Sequence, residues 1–178
     1  MVCPRLPPPL RSQTVASAAV ITISDSRSAG RAVDTAGPAT AECLTSIGLT
    51  VIEQRIVPDE AAQIASAVKS LINQVAVIAT TGGTGIGPRD VTPEAIRPLF
   101  DRELPGFGEI MRTGSFTQTP LSIISRGGAG VAGSTLIVML PGSPKGVREC
   151  LTLIGPAIKH ILKVLTSPSV DCQKEPGA

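Results

Sequence analysis

The first half of the chain alternates between short apolar runs and segments with helical periodicity. Three runs rich in β-branched residues predict strands, at residues 18–23, 50–57 and 75–79. A cap at Asp34 or Thr35 and a stop at Gly48 predict a helix after the first strand, and apolar positions at helical spacing predict another over residues 61–72. Strands joined by helical crossovers of this length run parallel, so the pattern predicts a parallel sheet covered by helices.

The second half of the chain is richer in glycine and proline. It predicts a helix and two strands, at residues 107–113, 121–125 and 134–140. A C-terminal helix is predicted after Pro144, with a break near Gly155 and Pro156. Residues 128–133 have the Gly-x-Gly-x-x-Gly spacing of a dinucleotide-binding loop. Because they lead into a strand rather than a helix, we interpret them as a glycine-rich hairpin that allows strands or a ligand to approach closely.

The clearest signal for chemistry is the stretch that follows the third predicted strand. Residues 80–95 read TTGGTGIGPRDVTPEA, with four glycines within six residues ahead of a helix start at Thr92 and Pro93. Glycines leave backbone N–H groups accessible to an anion, and a helix N-terminus favours negative charge. The Gly-Lys-Ser/Thr ending of a Walker A loop is replaced by Arg89 and Asp90, and a carboxylate beside a phosphate site favours a bound cation between them.

A second turn at the same sheet edge has related chemistry. The last predicted strand ends at Pro141 and Gly142, after which Ser143 caps a helix whose first residue is Pro144. Lys145 follows in the first turn, where the helix dipole disfavours a cation unless an anion binds nearby. Two helix starts at one edge of a parallel sheet favour a phosphate site. The alternative for Lys145 is a solvated side chain whose small cost is tolerated.

Composition limits the classes of function. The chain has 178 residues, of which 42% are apolar, enough for one domain over residues 15–166 with disordered tails at residues 1–14 and 167–178. Only 2% of the residues are aromatic, which disfavours nucleic-acid binding by stacking of bases on aromatic side chains. The net charge of +2 says little about partners. The four cysteines lack Cys-x-x-Cys spacing, no apolar run would span a bilayer, and the first residues do not resemble a secretory signal. These features predict a reduced, cytoplasmic protein without a membrane partner.

Together the motifs resemble those of the molybdopterin adenylyltransferase family, which includes bacterial Mog and MoaB proteins and the G domains of plant Cnx proteins and gephyrin. The matching segments are residues 81–85 (TGGTG), 89–95 (RDVTPEA), 105–107 (PGF), 125–126 (SR), 133–137 (GSTLI) and 140–145 (LPGSPK). The resemblance covers residues 16–165, nearly everything except the tails.

The resemblance implies both a fold and an activity. The fold is a three-layer α/β/α sandwich, with a mostly parallel sheet and one antiparallel strand, and the assembly is a homotrimer. The implied reaction transfers AMP from ATP to the terminal phosphate of molybdopterin, with Mg²⁺, and releases pyrophosphate. Hand-over of the product to a molybdenum-insertion protein would follow.

The family motifs also imply roles for single residues. Asp90, in Arg-Asp-Val-Thr-Pro, and Asp59, in Val-Pro-Asp-Glu, match functional carboxylates and are expected to hold Mg²⁺ and act in catalysis. The residues expected to bind phosphates of molybdopterin or ATP are Thr81, Gly82, Gly83, Thr84, Gly85, Ser125, Pro141, Gly142, Ser143 and Lys145. Ser24 and Asp25, in the loop after the first strand, are further candidates.

Several alternatives stay open. From the residues alone, a structural role explains Asp59 (as a helix cap) and Asp25 (as a turn-forming residue) as well as a functional role does. A capping role explains Asp90 less well, because Thr92 already fills the cap position. A non-catalytic module that binds the pterin or a partner protein, or a CinA-like nucleotide-processing enzyme, would use the same fold. The presence of both Asp59 and Asp90 favours the enzyme, and we expect no appended scaffold domain of the kind an anchor protein carries.

Overall fold

A six-stranded sheet forms the centre of the fold. A computed structural model describes residues 16–166, so both predicted tails, residues 1–14 and 167–178, lie outside the described residues. The strands are β1 (Ser17–Ile23), β2 (Thr50–Val57), β3 (Val77–Thr81), β4 (Arg102–Leu104), β5 (Gly128–Ala132) and β6 (Thr135–Leu140). Their order in the sheet is β2-β1-β3-β6-β5-β4.

The strand directions decide where the loops meet. β2, β1, β3 and β6 are parallel to one another, and β5 is antiparallel to both β6 and β4. Every residue of β3 and β6 is buried, as expected for parallel strands covered on both faces. The carboxyl ends of β1, β3 and β6, at Ile23, Thr81 and Leu140, therefore lie side by side, and the loops that follow them share one edge of the sheet.

Helices cover both faces of the sheet. They are α1 (Asp25–Ser28), α2 (Ala36–Ser46), α3 (Ala61–Lys69), α4 (Thr92–Ile96), α5 (Pro105–Ser115) and α6 (Pro144–Thr166). Leu44, Met111 and Leu151 place α2, α5 and α6 in one apolar core. Ile64 and Ile96 place α3 and α4 in a second core on the opposite face. The predicted three-layer α/β/α sandwich is thereby confirmed, including its single antiparallel strand.

The predicted strand at residues 121–125 is wrong. The segment forms a 3₁₀ helix, Pro120–Ile124, in which Leu121 and Ile123 are 73% and 64% exposed. An apolar run in the sequence favours a buried segment, but it does not specify a neighbouring strand with which the segment would pair. The place beside β5 is taken by β4, a three-residue strand with too little apolar pattern to be predicted.

The predicted break in the last helix is also wrong, because α6 continues through Pro156. Gly155 has no Cβ to clash with the proline ring, which relieves the usual restriction on the residue before a proline. A Cβ at Gly155 would lie 3.3 Å from Cγ2 of Ile47, so the two helices approach closely at this point. Ile154 and Ile158, buried on either side of the proline, hold the helix against the sheet.

The glycine-rich hairpin is confirmed, with β5 as its first strand. The turn to β6 contains Gly133 in the left-handed region, at φ +57°. Gly130, in the middle of β5, faces Phe100, and a Cβ at this glycine would overlap the aromatic ring. The glycines therefore serve the close packing of the sheet edge rather than a dinucleotide.

We expect Gly130→Ala to destabilise the fold by roughly 1–3 kcal/mol, the usual cost of overpacking, and to lower the melting temperature by roughly 2–10 °C. The matched control is Gly106→Ala in α5, where a Cβ would meet no atom within 4 Å. That control should be neutral or slightly stabilising. Thermal unfolding of both variants checks the prediction, and equal melting temperatures would contradict it.

Candidate functional site

The glycine loop, residues 81–87, makes a sharp turn at the end of β3. Gly82 and Gly83 adopt positive φ angles of +106° and +61°. A Cβ at Gly82 would overlap the carbonyl oxygen of Ile23, and one at Gly83 would overlap Oγ1 of Thr92. Both positions therefore require glycine for space as well as for conformation.

Hydrogen bonds fix this loop to its neighbours. Thr92 Oγ1 donates to the Gly82 carbonyl at 2.8 Å, so its side chain holds the glycine loop and does not cap α4 as predicted. Thr81 Oγ1 donates to the Pro141 carbonyl at 2.6 Å. The N–H of Gly82 donates to the Leu140 carbonyl at 3.2 Å, which removes it from the set of donors predicted for a ligand phosphate.

Asp59 and Asp25 join the loops after β2 and β1. The N–H of Asp25 donates to Asp59 Oδ2 at 2.8 Å, and the N–H of Asp59 donates to Asp25 Oδ1 at 3.0 Å. The capping alternative for Asp59 is wrong, since α3 begins after Glu60 without a side-chain cap bond. Ser24 instead caps the short helix α1, accepting from the N–H of Arg27 at 3.4 Å. The reciprocal pair leaves Asp59 Oδ1 directed at the glycine loop, 3.1 Å from the position of a Cβ on Gly83.

Arg89 binds this pair and was not predicted as a site residue. Its Nε and Nη2 each donate to a carboxylate oxygen of Asp25 at 3.0 Å, and Nη2 also donates to Glu60 Oε1 at 2.8 Å. The Arg89 guanidinium lowers the pKa of Asp25. Desolvation raises the pKa of Asp59, and the charges of Asp25 and Asp90 add to that rise. Two neighbouring carboxylates thus have opposite electrostatic environments.

Asp90 lies on the far part of the glycine loop. Its Oδ2 accepts the N–H of Gly87 at 2.8 Å and lies 2.8 Å from the position of a Cβ on Gly85. Arg126 holds the same segment, with Nε donating to the Gly85 carbonyl at 2.6 Å and Nη2 to the Asp90 carbonyl. The loop is therefore bordered by two carboxylates, Asp59 at Gly83 and Asp90 at Gly85.

A cavity of about 300 Å³ opens between this loop, α5 and α6, and we refer to it as the α5–α6 cavity. Among the residues predicted to bind phosphate, those that line it are Thr84, Gly85, Ser125, Pro141, Gly142 and Ser143. The predicted residues that lie outside its lining are Ser24, Asp25, Asp59, Thr81, Gly82, Gly83, Asp90 and Lys145. The cavity thus unites the ends of β3 and β6 with Ser125, while the carboxylates border the glycine loop.

Helix α5 supplies a cavity residue that motif reasoning missed. Arg112 lines the cavity, and its Nη1 donates to the carbonyls of Ser125 and Gly127 at 3.3 and 3.2 Å. Gly108, one turn earlier, leaves room for it, because a Cβ there would lie 2.9 Å from Arg112 Nη1. The spacing of Gly108, Met111, Arg112 and Ser115 on one side of α5 is the signal that would have indicated a shared lining.

Helix α6 contributes two more unpredicted residues to the lining, Glu149 and Cys150. Burial raises the pKa of the Cys150 thiol to about 11, so the thiol stays protonated at neutral pH and is a poor nucleophile. Lys145 is not part of the cavity lining; its side chain is 68% exposed, and its Nζ lies 3.6 Å from Glu149 Oε1. This i,i+4 pair offsets the unfavourable position of the lysine in the first helical turn.

Comparison with known proteins assigns the chain to a protein family. The model for the probable molybdopterin binding domain, MoCF_biosynth, matches residues 19–160. This chain belongs to that family. The match spans the glycine loop, both helix starts and the whole α5–α6 cavity, and confirms the resemblance that the motifs indicated.

Individual members of the MoCF_biosynth family are similar over most of the chain. A molybdopterin adenylyltransferase of Helicobacter pylori J99 is 41% identical over 153 residues, covering 82% of this chain and 85% of that protein. A molybdenum cofactor biosynthesis bifunctional protein of Chlorobaculum tepidum is 40% identical over 149 residues, and this chain spans only 47% of its length. The crystal structure of the molybdopterin biosynthesis enzyme MoaB from Thermus thermophilus has a TM-score of 0.80 at 42% identity, covering 85% of this chain and 96% of that one.

Two absences concern the described residues alone. Within residues 16–166, no helix has the length and apolar character needed to cross a membrane. In the same range, no three His, Cys, Asp or Glu side chains gather closely enough to hold a metal ion. A cation at Asp59 or Asp90 would therefore need further oxygen ligands besides these carboxylates.

The opposite pKa directions of Asp59 and Asp25 predict opposite mutant effects on stability. The raised pKa of Asp59 means that its ionisation opposes folding, a penalty absent below the ordinary value of 3.8 and complete once the pH exceeds the folded-state pKa. Asp59→Asn should therefore raise the melting temperature at neutral pH, and the gain should disappear in acid.

Asp25→Asn is the matched control, with the reverse sign. Its lowered pKa stabilises the fold above the ordinary value, and this contribution is lost as the pH falls through the folded-state pKa. Melting temperatures of both variants and the wild type between about pH 3 and about pH 8 test the pair. Shifts of the same sign at neutral pH would contradict the electrostatic interpretation.

Proposed function

We propose that this protein is a molybdopterin adenylyltransferase: it transfers AMP from ATP to the terminal phosphate of molybdopterin, giving adenylyl-molybdopterin and pyrophosphate. The observation that carries the proposal is the α5–α6 cavity, bounded by the glycine loop, at whose Gly83 and Gly85 the carboxylates of Asp59 and Asp90 lie. The names of the similar Helicobacter pylori and Thermus thermophilus proteins support the same substrate.

The loop end of the cavity suits a phosphate. Thr84, Gly85 and Gly142 bring backbone to the cavity wall, Ser125 and Ser143 bring hydroxyl groups, and Arg112 brings a guanidinium. Backbone N–H groups, hydroxyls and an arginine are the donors that phosphate oxygens require. We assign the terminal phosphate of molybdopterin to this end.

The carboxylates suit the metal-bound nucleotide. Asp59 Oδ1 and Asp90 Oδ2 border the glycine loop at Gly83 and Gly85, and carboxylate oxygens are the ligands that Mg²⁺ prefers, together with phosphate oxygens and water. When bound, Mg²⁺ neutralises charge on the triphosphate and on the departing pyrophosphate. Asp59, which is partly desolvated, must be ionised for this role, and the neighbouring Arg89 holds its partner Asp25 in place.

The reaction needs positioning more than acid–base chemistry. A terminal phosphate oxygen of molybdopterin, already anionic at neutral pH, attacks the α-phosphorus of ATP. A new P–O–P linkage forms, the bond between the α-phosphorus and its bridging oxygen breaks, and pyrophosphate takes the electron pair. In this scheme, Arg112 and the loop donors hold the attacking phosphate, while Asp59 and Asp90 hold the nucleotide through its cation.

The test is pyrophosphate release by the purified protein with Mg-ATP and molybdopterin, together with detection of adenylyl-molybdopterin. Asp90→Asn should lower the rate by roughly 100-fold or more, because charge on the triphosphate is left uncompensated, while molybdopterin still binds. Asp59→Asn should act in the same direction. Asp101→Asn is the matched control, since Asp101 binds the N–H of Gly133 at the opposite edge of the sheet. Turnover by Asp90→Asn close to that of the control would remove this role.

We further propose that the protein acts as a cytoplasmic homotrimer and hands its product to a molybdenum-insertion protein. The support for the trimer is the family resemblance alone. Light scattering at micromolar concentration should give three times the chain mass of 18.2 kDa. A monomeric or stable dimeric mass would refute the trimer without affecting the proposed reaction.

A further inference from the structure

The α5–α6 cavity contains a carboxylate that the proposed reaction does not use. Glu149 lies on the second turn of α6, and its side chain is 14% exposed. Oε1 is buried and has no hydrogen-bond partner among residues 16–166, the nearest cation being Lys145 Nζ at 3.6 Å. Oε2 accepts a single long hydrogen bond, from Thr119 Oγ1 at 3.4 Å. A buried acceptor with so few donors needs an explanation.

The carboxylate of Glu149 restricts the kind of ligand that could bind beside it. A carboxylate repels an anionic ligand, and a carboxylate in the wall of a phosphate-binding cavity weakens binding unless it faces hydrogen-bond donors. The loop end of the cavity already supplies donors for phosphate, from Arg112, Ser125 and the glycine loop. Glu149 supplies the opposite chemistry, because an ionised carboxylate only accepts hydrogen bonds.

The two chemistries are separated along the cavity. Ser143, at the start of α6, lies beside the strand ends, and Glu149 is six residues further along the helix. At about 1.5 Å per residue, this corresponds to roughly 9 Å along the helix axis. A ligand with a phosphate at one end and N–H groups at the other would match both ends.

We propose that Glu149 is the residue that recognises the pterin ring, accepting hydrogen bonds from the N–H of the pyrimidinone and from the adjacent exocyclic amine. These two donors are neighbours on one edge of a 2-aminopyrimidinone and match the two oxygens of a carboxylate, once rotation about the last side-chain bond brings the buried Oε1 to the cavity surface. This inference rests on the proposed function, since it assumes that molybdopterin occupies the cavity. Thr119 and Lys145 act as positioning residues that orient the Glu149 carboxylate.

The first experiment compares Glu149→Gln with wild type in the adenylyl-transfer assay. The variant keeps the size of the side chain but replaces one acceptor with a donor, so the KM for molybdopterin should rise roughly 10- to 100-fold, as for the loss of charge-assisted hydrogen bonds. The KM for ATP and the kcat at saturating molybdopterin should stay within about threefold of wild type. A change of about threefold is smaller than the effect expected from the loss of one charge-assisted hydrogen bond. Glu42→Gln is the matched control, an exposed carboxylate paired with Arg148 outside the cavity lining, and should change none of these values.

The second experiment uses ring fragments without phosphate. Wild-type protein should bind 6-hydroxymethylpterin more tightly than 6-hydroxymethyl-lumazine, which carries an oxygen in place of the exocyclic amine. Glu149→Gln should lose this preference, because its amide no longer offers two acceptors. Equal binding of the two fragments by the wild type overturns the inference even if the variant does not fold.

The outcomes separate this inference from the proposed function. Absence of adenylyl transfer and of molybdopterin binding in the wild type overturns both. Normal transfer by the wild type, with an unchanged KM for molybdopterin in Glu149→Gln, overturns the inference alone. A lower melting temperature with an unchanged KM leads to the same conclusion, because Glu149 would then only anchor Thr119 and Lys145.

Discussion

The left-handed turn at Gly82 and Gly83 is the constraint on which the rest of the site depends. It can form only because no Cβ separates Gly82 from the carbonyl of Ile23 or Gly83 from the hydroxyl of Thr92. A Cβ on Gly142, after β6, would also lie 3.2 Å from the Cα of Gly82. The ends of β1, β3 and β6 thereby converge within a few ångströms, and the α5–α6 cavity opens where the loop turns away from the sheet.

Around this turn, charged side chains fix the loops instead of apolar packing. Asp25 and Asp59 exchange backbone hydrogen bonds, and Arg89 binds Asp25 through two nitrogens. Since Arg89 precedes Asp90 in sequence, the same contact holds the second carboxylate segment near the first. The arrangement keeps Asp59 partly desolvated, and this desolvation raises its pKa.

The cavity itself is chemically polarised. Arg112, Ser125 and the glycine loop supply hydrogen-bond donors at the edge of the sheet. Glu149 supplies hydrogen-bond acceptors more than one helical turn further along α6. In the proposed function, this division selects a ligand by both of its ends, since an anion alone would gain nothing from Glu149 and a neutral ring alone would gain little from Arg112. The separation follows from the geometry of two helices, α5 and α6, that approach the same strand ends.

The sequence alone determined the parallel core, the glycine turn and the family, because hydrophobic period, glycine spacing and helix-start residues are local signals. It also placed Asp59 and Asp90 near the turn. Only the tertiary structure showed that Thr92 holds the loop instead of capping a helix, and that residues 120–124 are helical because β4 occupies the edge beside β5. The contacts of Arg89 with Asp25, of Arg112 with Ser125 and of Glu149 with Thr119 likewise join segments that are distant in sequence. From the sequence, a charged residue on a helix is interpreted as solvent-facing. Whether another element of the fold packs against it cannot be inferred from the local sequence pattern.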